Sequence, residues 1–324
     1  MSASGGGKAI VAAFLANLGV AVAKFVAFLA TGAASMLAET IHSVADASNQ
    51  GLLLLGRRQA RREATPQHPF GFGRERYFWA FVVSVVLFAL GGLFSIFEGV
   101  EKIRHPHALE STAWAVGVLA VAIVLEGISL RTAVVEANEA RGERSWWAFV
   151  RQAKTPELPV VLLEDLGALL GLVFALVGVV LAVLTGESRF DALGSIAIGA
   201  LLTIIAIVLA VEMKGLLIGE SAAPADLATI REAIEAGPNV RRLIELRSQH
   251  LGPDELLVGA KVELDGHLTF EEVAQAIDAT EREVRQRVPV AFLYIEPDLY
   301  DPGYRSGARG GERRSAGAPR EERS

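Results

Sequence analysis

The sequence predicts a membrane all-α domain of six transmembrane helices followed by a small cytoplasmic α+β domain. Three observations carry this. Apolar residues fill 52% of the 324 positions and mean hydropathy is +0.38, above the roughly 45–50% apolar content usual for soluble domains. The excess falls in runs of about 20 residues, the length a helix needs to cross the hydrocarbon core. After Glu212 these runs give way to short segments with helical and strand periods. The predicted boundaries are 1–215 for the transmembrane domain, 216–302 for the cytoplasmic domain and 303–324 for a tail. The tail is rich in Gly, Arg, Glu and Ser and reads as disordered.

The first span runs from about Ala9 to Ala30. It is too long for the apolar core of a signal peptide and has no clear cleavage site, so it is expected to be retained. The others run from about Met36 to Leu55, Tyr77 to Val100, Thr112 to Val134, Leu158 to Leu184 and Phe190 to Val211. Arg57, Arg58, Arg61, Arg62, Arg74 and Arg76 follow the second span, and Arg141, Arg144, Arg151 and Lys154 follow the fourth. The positive-inside bias puts both loops in the cytoplasm, and an even number of spans puts both termini there too. Gly91, Gly92, Ser95 and Gly99 on the third span and Gly167 and Gly171 on the fifth allow close helix packing.

In the C-terminal part, ADLATIREAIEAG reads as an amphipathic helix ending at Gly237-Pro238. LIELRSQHLGPDELLVGAKVELDG reads as two strands joined by a Gly-Pro turn. TFEEVAQAIDATEREVRQRV is a second helix opened by a capping box of Thr269 and Glu272, and AFLYIEPD is a third strand. The order αββαβ predicts a two-layer, ferredoxin-like domain.

Net charge is −6, with Arg clustered between apolar runs and acids concentrated late in the chain, which gives no ground for a nucleic-acid partner. There is no cysteine, so disulfides and thiolate metal sites are excluded.

The second span carries Glu39, His42, Asp46, Asn49 and Gln50. An ionisable residue at membrane depth costs at least ~2.5 kcal/mol and points to function. His42 and Asp46 are four apart, on one helix face. Imidazole plus carboxylate suits zinc and other divalent first-row ions. The same pair could instead serve only to bond neighbouring helices; its depth favours the ion site. Asn49 lies on roughly the same face, to support the ligands or to pack. Glu164 and Asp165, adjacent on the fifth span, point about 100° apart, so one is expected to face a cavity and the other a helix interface. Pro159 is expected to loosen that span. Asn17 and Lys24 share a face of the first span, where Lys24 can snorkel to the interface. No HExxH motif is present, and no enzymatic activity is expected.

NLGVAVAKFVAFLATGAASMLAETIHSVAD followed by HPFGFGRER resembles the cation diffusion facilitator family, and LLEDLGALLG with ETIHSVADASNQ resembles the branch that includes zinc transporter nine. The resemblance implies a homodimer in the lipid bilayer that moves a divalent cation out of the cytoplasm in exchange for protons. Zinc is the first expectation and manganese, iron or cobalt the alternatives; an intramembrane metal-dependent enzyme is the rival class. The cation is cargo, and no prosthetic group is implied. A bacterial plasma membrane is the expected location. The family's transport site lies between the second and fifth helices. There His42 and Asp46 match second-helix ligands and Asp165 matches the fifth-helix carboxylate. The other fifth-helix ligand falls at Val161, which cannot bind metal; Glu164 is the expected substitute. Phe72 stands at a loop histidine position, and Ile244, Lys261 and Ala274 at histidine positions of the soluble domain, so no zinc centre is expected there despite Glu296 and Asp298. The resemblance further implies a junction ion pair between Arg74 and Glu220.

Overall fold

The computed structural model describes residues 34–105 and 112–300, together with part of 11–29. Side chains of 34–42, 45 and 112–115 are excepted. Lys24, much of the first span, the side chain of His42 and the expected disordered tail lie outside the described residues.

Where described, positions between 11 and 29 are helical. Next come α1 (Ala34–Ala60), α2 (Glu75–Val86), a π-helical segment (Leu87–Leu93), α3 (Phe94–Arg104), α4 (Thr112–Arg141), α5 (Trp146–Gln152), α6 (Glu157–Thr185) and α7 (Arg189–Ile218). The C-terminal part is α8 (Pro224–Glu235), β1 (Val240–Gly252), β2 (Glu255–Leu264), α9 (Phe270–Arg287) and β3 (Phe292–Pro297). Contacts divide the chain into two units, one of residues 1–223 with the hairpin tip 248–257, the other of 224–247 and 258–324.

Among the described residues, four helices are long and apolar enough to cross a membrane: Glu75–Arg104, Val116–Arg141, Glu157–Thr185 and Arg189–Ile218. At 27 residues α1 has the length, but its central polar side chains dilute the hydropathy. Several helices run past the apolar stretches that predict them, α1 to Ala60, α4 to Arg141 and α7 to Ile218. The third span is helical from Glu75 but wound as π-helix over Leu87–Leu93, where a continuous α-helix is expected. Pro159 does not loosen the fifth span. That helix begins at Glu157, so Pro159 sits in its first turn, where backbone N–H groups have no intrahelical acceptor to lose.

In the first unit α6 packs on α4 and α7, while α3 and the π segment pack along α7. With lipid on the outside, close backbone approach supplies much of the packing. A Cβ on Gly99 would stand 2.8 Å from the carbonyl oxygen of Ala192, and one on Gly199 would stand 2.7 Å from that of Gly92. An apolar cluster including Leu53, Tyr77, Val83, Phe149, Val160, Leu209 and Met213 fills the interior.

In the second unit α8 packs on α9 and α9 on β3. The sheet order is β1-β2-β3. β2 alternates buried and half-buried positions, as a strand with one covered face must. The Thr269–Glu272 capping box forms in both directions, with Thr269 Oγ accepting from the Glu272 N–H and the Glu272 carboxylate from the Thr269 N–H.

Gly99→Val and Gly199→Ala are expected to destabilise the α3–α7 contact by about 1–3 kcal/mol through overpacking. Gly117→Ala and Gly127→Ala, where an added Cβ meets nothing within 4 Å, should not lower the melting temperature of the detergent-solubilised chain. Thermal unfolding of the four variants checks the contrast.

Candidate functional site

The polar residues of α1 meet the carboxylates of α6 inside the first unit. Glu164 and Asp165 lie about two turns into α6 and are both buried, 5% and 4% exposed. Adjacency sends them to different helices. Glu164 turns to α1, accepting from Asn49 Nδ2 at 2.7 Å on Oε1 and from Gln50 Nε2 at 3.2 Å on Oε2. Asp165 turns to α4, where the Ser129 hydroxyl donates to Oδ2 at 2.8 Å. Asn17 Nδ2 donates to Gln50 Oε1 at 3.3 Å, which adds the first helix to the network.

Asp46 is half-buried one turn before Asn49 and Gln50, and its charge acts on both Glu164 and Asp165. The structure thus brings Asn17, Asp46, Asn49, Glu164 and Asp165 into one neighbourhood. His42 lies on α1 one turn before Asp46, with its side chain outside the described residues. Val161 is buried and apolar. Among the described residues no three His, Asp or Glu side chains already stand in position to hold a metal ion. Asn49 Oδ1 is buried with no hydrogen-bond partner among them, an oxygen donor left over beside the carboxylates.

Sequence reasoning did not assign Gln50 or Ser129 to the site. Gln50 belongs to the polar set that makes α1 unusual. A lone serine in an apolar span carries no signal, because serine in lipid also serves simple packing.

Around the basic loops the pairing differs from expectation. Glu220 does not pair with Arg74; its carboxylate takes the Lys154 ammonium, which comes from the turn before α6. Arg74 Nε is buried with no hydrogen-bond partner among the described residues. Arg76, two residues on, has a buried ion pair. Its guanidinium donates to both oxygens of the fully buried Glu157, at 2.6 and 2.9 Å, and to Asp254 on the hairpin tip at 3.1 Å. A planar fork on a carboxylate needs this two-point geometry. At the opposite end of the spans Lys102 bonds Asp191 at 3.0 Å, Glu98 at 3.2 Å and Ser195 at 3.3 Å.

In the second unit Lys261 lies between Glu296 and Asp298, 3.1 Å from each. Hydrogen bonds that it donates to Asp298 and then Glu296 raise the pKa of its ammonium.

The cation efflux transmembrane domain family matches residues 10–218, and the cation efflux cytoplasmic domain family matches 222–300. The chain belongs to the cation efflux family. It is 34% identical over 290 residues to the "Proton-coupled zinc antiporter SLC30A9, mitochondrial" of Xenopus laevis, covering 88% of this chain and 52% of that protein. It is 35% identical over 267 residues to the human protein of that name, covering 82% and 47%. Against the "Cation-efflux pump FieF" of Pectobacterium atrosepticum identity is 25% over 293 residues, covering 90% and 91%. The chain spans about half the length of the SLC30A9 relatives it matches.

Glu157→Leu and Arg76→Met should each cost about 3–5 kcal/mol, because one change strands the other buried charge. The joint Arg76→Met/Glu157→Leu variant should recover most of the loss. Chemical unfolding of the three variants in detergent is the measurement; full additivity in the double variant would show that the pair is not coupled.

Proposed function

We propose that this chain is a proton-coupled exporter of a divalent cation, zinc first, whose transport site is built from His42, Asp46 and Asp165 with Glu164 beside them. The observation that supports this reading is the neighbourhood of Asp46 on α1 and of Glu164 and Asp165 on α6, with Asn49 and Gln50 bonded to Glu164 and Ser129 of α4 bonded to Asp165. Family membership and the names of the relatives supply the reaction class. The family is one of transporters.

The chemistry follows from burial. Ligands must be deprotonated to bind metal, so cation entry releases protons and reprotonation expels the cation. Gathered carboxylates with little solvent are suited to that exchange, because each charge disfavours its neighbours until a cation or proton arrives. Glu164 has both oxygens engaged by separate amides, while Asp165 has one serine donor, which favours Asp165 as the ligand. Alternating access would then move helices around this site. From the positive charge of the loops we take the termini to be cytoplasmic, the membrane to be a bacterial plasma membrane and the assembly to be a homodimer.

Zinc flux into proteoliposomes against a proton gradient is the direct test. His42→Ala and Asp46→Ala should abolish flux, and Asp165→Asn should reduce it far more than Glu164→Gln. An inactive Glu164→Gln beside an active Asp165→Asn would exchange their roles; flux of manganese, iron or cobalt in place of zinc would change the cargo. Wild-type flux in the Asp46→Ala variant would end the assignment.

The cytoplasmic domain is proposed to dimerise without metal. Lys261 already neutralises the two carboxylates that remain near it, so linkage to zinc should be small. A fragment of residues 224–302 is expected to melt at the same temperature in zinc and in chelator. A large saturable rise with zinc would show a surviving site.

A further inference from the structure

The linker between α4 and α6 has a surface that transport does not use. Its seven-residue helix α5 reads WWAFVRQ and is capped by Ser145, whose Oγ accepts from the Ala148 N–H at 3.1 Å. One face is fixed inward: Phe149 and Val150 are buried in the same apolar cluster as Tyr77, Ala137 and Val160. The other presents Trp146 and Trp147, 41% and 59% exposed. Both α4 and α6 cross the membrane, so the short linker joining their ends must lie where the bilayer meets water. Indole rings favour that level, apolar in body and with one N–H for the wet side.

Charge surrounds these rings. The Arg141 guanidinium sits 4.7 Å over Trp146, that of Arg151 5.9 Å over Trp147, and that of Arg144 5.7 Å over Phe149. From residue 141 to 154 there are four cations (Arg141, Arg144, Arg151, Lys154) and one acid (Glu143), a net charge of +3 for the segment, of which Arg151 and Lys154 are paired with Glu212 and Glu220, leaving +1. The arginines are held in place: Arg141 donates to Asn138 Oδ1, Arg144 to the carbonyls of Arg141 and Ala140, and Arg151 to Glu212. These bonds engage only some of the five N–H donors of each guanidinium. An apolar edge with a basic rim at the membrane surface is complementary to anionic phospholipid.

We propose that the 141–154 linker is an interfacial anchor that docks on anionic lipid headgroups, with Trp146 and Trp147 entering the headgroup–acyl boundary and Arg141, Arg144 and Arg151 taking the phosphates. The anchor is independent of the transport assignment. Because it joins α4, which bonds Asp165 through Ser129, to α6, it ties both helices to the lipid surface.

The test uses the full chain in phosphatidylcholine vesicles containing either brominated phosphatidylglycerol or brominated phosphatidylcholine, with tryptophan emission as the readout. The wild type should be quenched at a several-fold lower mole fraction of the anionic lipid. Trp146→Phe/Trp147→Phe should remove that component, and Arg141→Gln/Arg144→Gln/Arg151→Gln should equalise the two lipids. Inorganic phosphate at millimolar concentration should not compete. Equal quenching by both lipids in the wild type, a preference that survives the triple substitution, or displacement by free phosphate would overturn the proposal. So would shielding of both tryptophans from either lipid, which would assign the face to a protein contact.

Discussion

A carboxylate buried among apolar helices must find donors or lose its charge, and this constraint organises the membrane unit. Glu164 and Asp165 leave one turn of α6 about 100° apart, so a single neighbour cannot satisfy both. Asn49 and Gln50 reach Glu164 from α1, and Ser129 reaches Asp165 from α4. Gln50 in turn takes a bond from Asn17. Two adjacent acids therefore fix the relative positions of helices that lipid alone would leave free to slide. Removing Glu164 would leave the Asn49 and Gln50 NH2 groups without that acceptor, itself a cost in an apolar interior.

The two ends of the spans are held differently from the middle. At the basic end the Arg76 fork grips Glu157, the first residue of α6, and Lys154 and Arg151 reach Glu220 and Glu212. At the other end Lys102 ties α3 to Asp191 at the start of α7. Between them the α3–α7 contact depends on glycines too close to the neighbouring backbone to take a side chain. α6 packs along α4 and α7 and, two turns from its start, carries the hydrogen bonds of Glu164 and Asp165.

Much of this is readable in the chain because membrane depth leaves so few solutions. An apolar run of 20 residues must be helical, and the polar face of α1 must be buried. The capping box at Thr269 is local chemistry and forms as its spacing requires. What resists reading is pairing. Arg74 and Arg76 are two residues apart in one basic loop, and only the fold shows that Arg76 meets Glu157 while Glu220 goes to Lys154. The π turns at Leu87–Leu93, where Gly91 and Gly92 lie against Leu202 and Thr203 of α7, have no signal in the apolar run that predicts the span. Pro159 reads as a helix breaker until the true start of the helix at Glu157 makes it harmless.

The distribution of donors also bears on how a site of this kind could switch. In the site proposed here, a cation among Asp46, Glu164 and Asp165 would compete with the amide and hydroxyl donors for the same oxygens. Each bond it displaced would loosen α6 from α1 or from α4, and each proton replacing it would alter which oxygens can accept. A ligand shifts a conformational equilibrium only by its differential affinity for the two states. Here that difference can be placed in specific bonds, those of Asn49, Gln50 and Ser129. The Arg76–Glu157 pair ties the base of α6 to α2; under the same proposal it would persist while these bonds change, and α6 would pivot about that base.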